Sequence, residues 1–164
     1  MNPDPQILEL LPHRPPMTML AQVLSVEVPG EASAVADTSP ESIFYDSALG
    51  GVPSCAALEY MAQTMALAVG AERRRKGAQP RVGFVLGTRR LEVKVAAFES
   101  GKRYVTAAKC AYADDTSAAF DCLITGPDGE TVATASLTAY QPPDSMSGAG
   151  AVLLKGEGWR TRSK

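Results

Sequence analysis

The feature that most constrains this chain is residues 52–76, VPSCAALEYMAQTMALAVGAERRRK, a run with no Pro past its second position and a single Gly. Between positions 56 and 68, Ala, Leu and Met fall on every side of a helical axis, where a solvent-facing helix would carry a polar stripe. The pattern predicts one long helix wrapped by the rest of the chain. Pro53 and Ser54 open it, with the Ser54 hydroxyl able to accept a bond from a first-turn amide; the basic turn ending at Lys76, followed by Gly77, closes it.

Glu59 and Gln63 are four positions apart in this run and so share one helical face. A carboxylate between Leu58 and Tyr60, charged, unpaired and buried, would cost several kcal/mol. It is therefore paired, protonated or used. The structural alternative to a catalytic role is that Glu59 caps a loop or pairs with an Arg.

At 164 residues, with 45% hydrophobic and 21% charged residues, the chain fits one globular domain, and a net charge of −2 gives no case for nucleic acid. The start, MNPDPQILELLPHRPPM, lacks the basic flank and apolar run of a signal peptide, and no stretch approaches about 18 uncharged apolar residues. The expectation is a cytoplasmic protein that neither crosses nor binds a membrane. Cys55, Cys110 and Cys122 are an odd count without CxxC spacing, so reduced thiols are expected and no metal site. Cys55 lies beside a helix start, but no local motif pairs it with His13, the single histidine.

Pro5 opens a short helix over residues 4–11. Residues 17–28 alternate as a strand with a one-residue slip, Pro29-Gly30 turns, and residues 32–36 pair back. Residues 38–52 keep no period and form a loop leading into the helix, a natural place for a site. Strands are predicted at 82–95, 103–113, 118–125 and 131–140, separated by Gly- and Asp-rich turns, the last three as a meander. Beyond Gln141, Pro, Gly and Ser dominate, and a flexible tail is expected over residues 141–164 after a single domain over 1–140.

The segments LLPHRPPM, VPSCAALEYMAQ and GFVLGTRRLEVKVAAFESGKRYVT occur in the order and spacing of the 3-hydroxyacyl-acyl-carrier-protein dehydratases, which the chain resembles over residues 10–140. It is most similar to the divergent subgroup of aryl-polyene and fatty-acid-type pathways. The resemblance implies an α+β hot-dog fold, a curved antiparallel sheet around one central helix. It further implies a homodimer, or a heterodimer with a related dehydratase. An acyl thioester on the phosphopantetheine of acyl carrier protein, or on CoA, would be the substrate, with no other cofactor.

Residue by residue, Glu59 matches the family carboxylate, Gln63 the Gln after it, and Ser54 the helix-start residue whose amide holds the thioester oxygen. Gln63 and Ser54 are thus expected to contact substrate. The family's loop histidine falls on Tyr45. His13 belongs to LLPHRPPM, which the family also carries, and is expected to tie the N-terminus to the body. Dehydration needs a base for the α-proton and an acid for the leaving hydroxyl. Histidine suits the first, whereas tyrosine ordinarily titrates near 10. Asp46 is therefore the expected substitute base, with Tyr45 beside it. Three activities stay open: a dehydratase using Glu59 with Asp46 or Tyr45, a non-catalytic or half-site partner of a histidine-bearing dehydratase, and an acyl thioesterase.

Overall fold

A computed structural model describes residues 4–142, so the expected tail lies almost wholly outside the described residues. Helix α1 (Pro5–Leu10) is capped by Asp4, which accepts the Gln6 N–H and also that of Val23, tying the helix to the first strand. A hairpin of β1 (Leu20–Glu27) and β2 (Glu31–Ala36) turns through Gly30. Register shifts after Leu20 and Val23 account for the slip in the apolar pattern.

Residues 38–50 lead into the short strand β3 (Gly51–Pro53), a 3₁₀ turn (Ser54–Ala56) and the long helix α2 (Ala57–Arg75). The helix is shorter at its start than the apolar run implied, and no side chain caps it, so Ser54 is not the cap its hydroxyl suggested. Its end is as expected: Gly77, at φ 75°, takes the left-handed conformation and donates to Arg74 O.

Strands β4 (Phe84–Val93), β6 (Val105–Ala113), β7 (Ser117–Thr125) and β8 (Thr131–Tyr140) follow. They join the hairpin in one antiparallel sheet of order β1-β2-β6-β7-β8-β4, with β6, β7 and β8 forming the predicted meander. A second small sheet, β3 with β5 (Ala97–Glu99), was not anticipated. Three-residue strands are too short to show a period, and their pairing is long-range.

The sheet curves around α2 because its inner face carries small residues where the helix comes close. Ala32, Ala34, Ala108 and Ala133 are buried there, while Tyr60, Met61 and Leu67 of the helix fill the space from the other side. At Gly70 a Cβ would overlap the Leu10 carbonyl oxygen, so the missing side chain lets α1 lie against α2. The wrapping is not complete. Leu58, Glu59, Ala62, Ala66, Val69 and Arg73 form a half-exposed stripe along one side of the helix. At the sheet edge, β4 is exposed almost throughout, including Phe84, Val85, Leu86 and Leu91.

Candidate active site

The half-exposed stripe of α2 forms one wall of an open groove of about 1050 Å³, with Met65, Tyr112 and Phe120 among its lining residues. Glu59 and His13 both face this groove. The acid is not buried as the apolar run suggested: its side chain keeps 36% of its exposure, which lightens the desolvation cost of a charge.

Its geometry is set by Gln63, which is fully buried. Gln63 Oε1 accepts the Met19 N–H at 2.9 Å, and Nε2 donates to Met17 O at 2.8 Å and to Glu59 Oε1 at 2.7 Å. The backbone donor and acceptor at positions 19 and 17 leave one orientation for the amide, because a flip would set N–H against N–H and oxygen against oxygen. Gln63 therefore fastens the entry to β1 onto α2 and presents an N–H to one carboxylate oxygen of Glu59. Both of its ends are engaged by the protein itself.

His13 reaches the same oxygen from the loop between α1 and β1, with Nε2 3.8 Å from Glu59 Oε1. Arg14 props the loop by donating to the carbonyls of Leu11 and His13. Burial lowers the pKa of His13 below its ordinary value of 6.5; Glu59 opposes that shift and Arg14 adds to it. The expectation that His13 ties the N-terminus to the body thus understates its position. The signal in the sequence was a lone histidine in a Pro-rich, rigid segment. Nothing local told which face of the molecule that segment would reach.

The other expected site residues stand elsewhere in the chain. Asp46 shapes the turn before β3: its Oδ1 accepts the Ala48 N–H at 2.8 Å, and its backbone exchanges bonds with Gly51. Tyr45, also half-exposed, donates its N–H to Ser42 O. The Ser54 N–H is committed to Ala96 O at 3.0 Å. None of the three lines the Glu59 groove. One chain thus brings together Glu59, Gln63 and His13, and leaves Tyr45, Asp46 and Ser54 apart from them. Around the helix start, Tyr60 donates its phenol proton to Asp37 O, and burial followed by Asp37 raises its pKa well above the usual range. The Phe98 ring meets it edge-on at 5.4 Å, so Tyr60 is a packing residue. Among the described residues no group of three His, Cys, Asp or Glu side chains stands together to hold a metal ion, and no helix is long and apolar enough to cross a membrane.

A curved antiparallel sheet around a central helix, with a groove-facing carboxylate near the helix start, defines a protein of the hot-dog fold. The chain belongs to the ApeP-like dehydratase family, whose model matches residues 5–149. Among solved structures it is similar to the dehydratase heterocomplex ApeI:P from Xenorhabdus doucetiae, at 25% identity and TM-score 0.79, covering 92% of this chain and 97% of that one. A hypothetical thioesterase with coenzyme A from Streptococcus pneumoniae TIGR4 shares the fold at 16% identity and TM-score 0.57, over 74% of this chain and 85% of that one. So does smu.793 from Streptococcus mutans UA159 bound to acetyl CoA, at 15% identity and TM-score 0.57, over 74% and 88%. No curated protein sequence matches the chain.

Proposed function

We propose that this chain supplies the carboxylate half of a dehydratase site for 3-hydroxyacyl thioesters, completed by a histidine from a related dehydratase subunit. The observation that carries this reading is Glu59, held by Gln63 at a groove that has no catalytic base from its own chain's loop at positions 45 and 46. The similarity to a dehydratase heterocomplex supports the mixed pairing.

In the proposed reaction the partner's imidazole removes the proton from the carbon next to the thioester carbonyl. The electron pair released forms the new carbon–carbon double bond, and the bond to the 3-hydroxyl breaks. Glu59, which carries a proton in the reacting complex, gives it to the departing oxygen, which leaves as water. The α-proton stays on the partner's imidazole and the carboxylate on Glu59, so atoms and charge balance. The acyl chain lies in the groove along Ala62, Ala66 and Val69, and the thioester is carried on acyl carrier protein or CoA. The basic last turn of α2, Arg73 to Lys76, gives an acidic carrier a complementary surface. A carrier-protein substrate goes with a cytoplasmic location. The exposed apolar edge β4 is the surface through which the two sheets join.

The test is a purified mixed dimer in which the helical carboxylate of each chain is changed separately. Glu59→Gln is expected to lower turnover of a 3-hydroxyacyl-pantetheine thioester by about 10²-fold or more, with the equivalent change in the partner tolerated. The reverse pattern makes this chain a scaffold. Release of free thiol from the same substrate, in place of an unsaturated thioester, selects thioesterase chemistry. Full-speed dehydration by this chain alone removes the half-site reading and points to Asp46 and Tyr45.

A further inference from the structure

We propose that His13 is a positioning residue for Glu59: as a neutral donor it joins Gln63 on Oε1, and the two together leave Oε2 as the oxygen that holds and delivers the acid proton. The proposal rests on the dehydratase reading of Glu59 but assigns His13 and Gln63 a role that substrate contact does not describe.

Two independent observations determine which atoms carry protons. The Gln63 amide is oriented by Met19 N–H and Met17 O, so the group facing Glu59 Oε1 is an N–H. For His13, Nδ1 is buried and meets no hydrogen-bond partner among the described residues, whereas Nε2 faces Glu59. Either neutral tautomer leaves the buried Nδ1 unpaired, as donor or as acceptor, so the choice is made at Nε2: protonated there the ring turns a donor to the Glu59 oxygen, whereas the other tautomer sets a nitrogen lone pair against a carboxylate. The neutral ring therefore carries its proton on Nε2, where it points at Oε1. The same buried nitrogen makes the doubly protonated ring unfavourable, in accord with the lowered pKa caused by burial. The charged groups acting on His13 are Glu59, across from α2, and Arg14, on its own loop.

An oxygen already facing two N–H donors is a poor place for a third hydrogen. A protonated Glu59 therefore places its proton on Oε2, and the fixed Oε1 limits rotation of the carboxyl group. A 3.8 Å approach shortens to a hydrogen bond by a small side-chain rotation, as apo catalytic contacts commonly do.

Because the chain has one histidine, its imidazole nitrogens can be read without ambiguity in a long-range ¹H–¹⁵N spectrum of the full chain. Three results are expected. At neutral pH the ring is the Nε2–H tautomer. In Glu59→Gln, which removes the charge opposing burial, the His13 titration midpoint moves further down. In the mixed dimer acting on a 3-hydroxyacyl-pantetheine thioester, His13→Ala lowers kcat about tenfold with KM little changed, and His13→Gln, whose amide can donate from a similar place, recovers most of the loss. An Nδ1–H tautomer, a midpoint indifferent to Glu59→Gln, or a His13→Ala dimer with unaltered kcat overturns the proposal. The spectra need only the folded wild-type and Glu59→Gln chains, so a His13 variant that misfolds does not end the test. If the wild-type dimer does not dehydrate, the dehydratase reading fails. If it does and the His13 results fail, only the positioning role is lost.

Discussion

Two residues show how burial in this chain sets chemistry. Cys122 sits inward on β7, and desolvation, assisted by Asp121, pushes its thiol up to about 12. At pH 8 it is then almost wholly a thiol, and only the thiolate is nucleophilic. Alkylation followed by mass spectrometry is expected to label the exposed Cys55 and spare Cys122 until the protein unfolds. His13 is lowered from its ordinary value, so the unfolded chain takes up its proton at higher pH than the folded one. Its contribution to stability is complete above the ordinary pKa and is lost as pH falls through the folded value. Wild type minus His13→Gln, compared by urea unfolding between pH 8 and pH 5, is expected to show stability declining toward acid. A flat difference would mean that the imidazole is not held neutral.

At the scale of elements, α2 was legible because an all-round apolar run of that length has few other solutions, and β6, β7 and β8 because strong turn residues separate alternating segments. The small β3–β5 sheet was not, since pairing between Gly51–Pro53 and Ala97–Glu99 is decided by where the chain returns. The same reason hid the site's histidine: Glu59 and Gln63 were readable as one helical face, but His13 arrives through tertiary packing of α1 and its Pro-rich loop. That packing has its own test. Ala is the better helix former by about 1 kcal/mol, yet at Gly70 its Cβ meets the Leu10 backbone, which cannot move without displacing α1. Gly70→Ala is expected to destabilise by about 1–3 kcal/mol in chemical denaturation, against the propensity trend. A stabilised variant would show that α1 gives way freely.

For the whole molecule, the sheet edge and the helix stripe lead to one expectation. The edge strand β4 is exposed along nearly its full length, and although bulges and Arg89, Arg90 and Glu92 interrupt it, Phe84, Val85 and Leu86, the last at 65% exposure, form an apolar stretch of open edge of the kind that is ordinarily covered. Sedimentation at micromolar concentration is expected to show a dimer, with a homologous dehydratase subunit or with a second copy, and Leu86→Lys to shift it toward monomer. A stable wild-type monomer would count against the proposed assembly. The open side of α2 carries a further consequence. A site with one wall from each of two different chains obeys mass action: at low concentration its activity rises with the product of the two subunit concentrations, so tenfold dilution of both reduces it far more than tenfold. Overproduction of one chain then gains nothing once the other is used up. On the proposed mixed pairing, output is set by whichever subunit is scarcer, and synthesis in equal amounts serves it best.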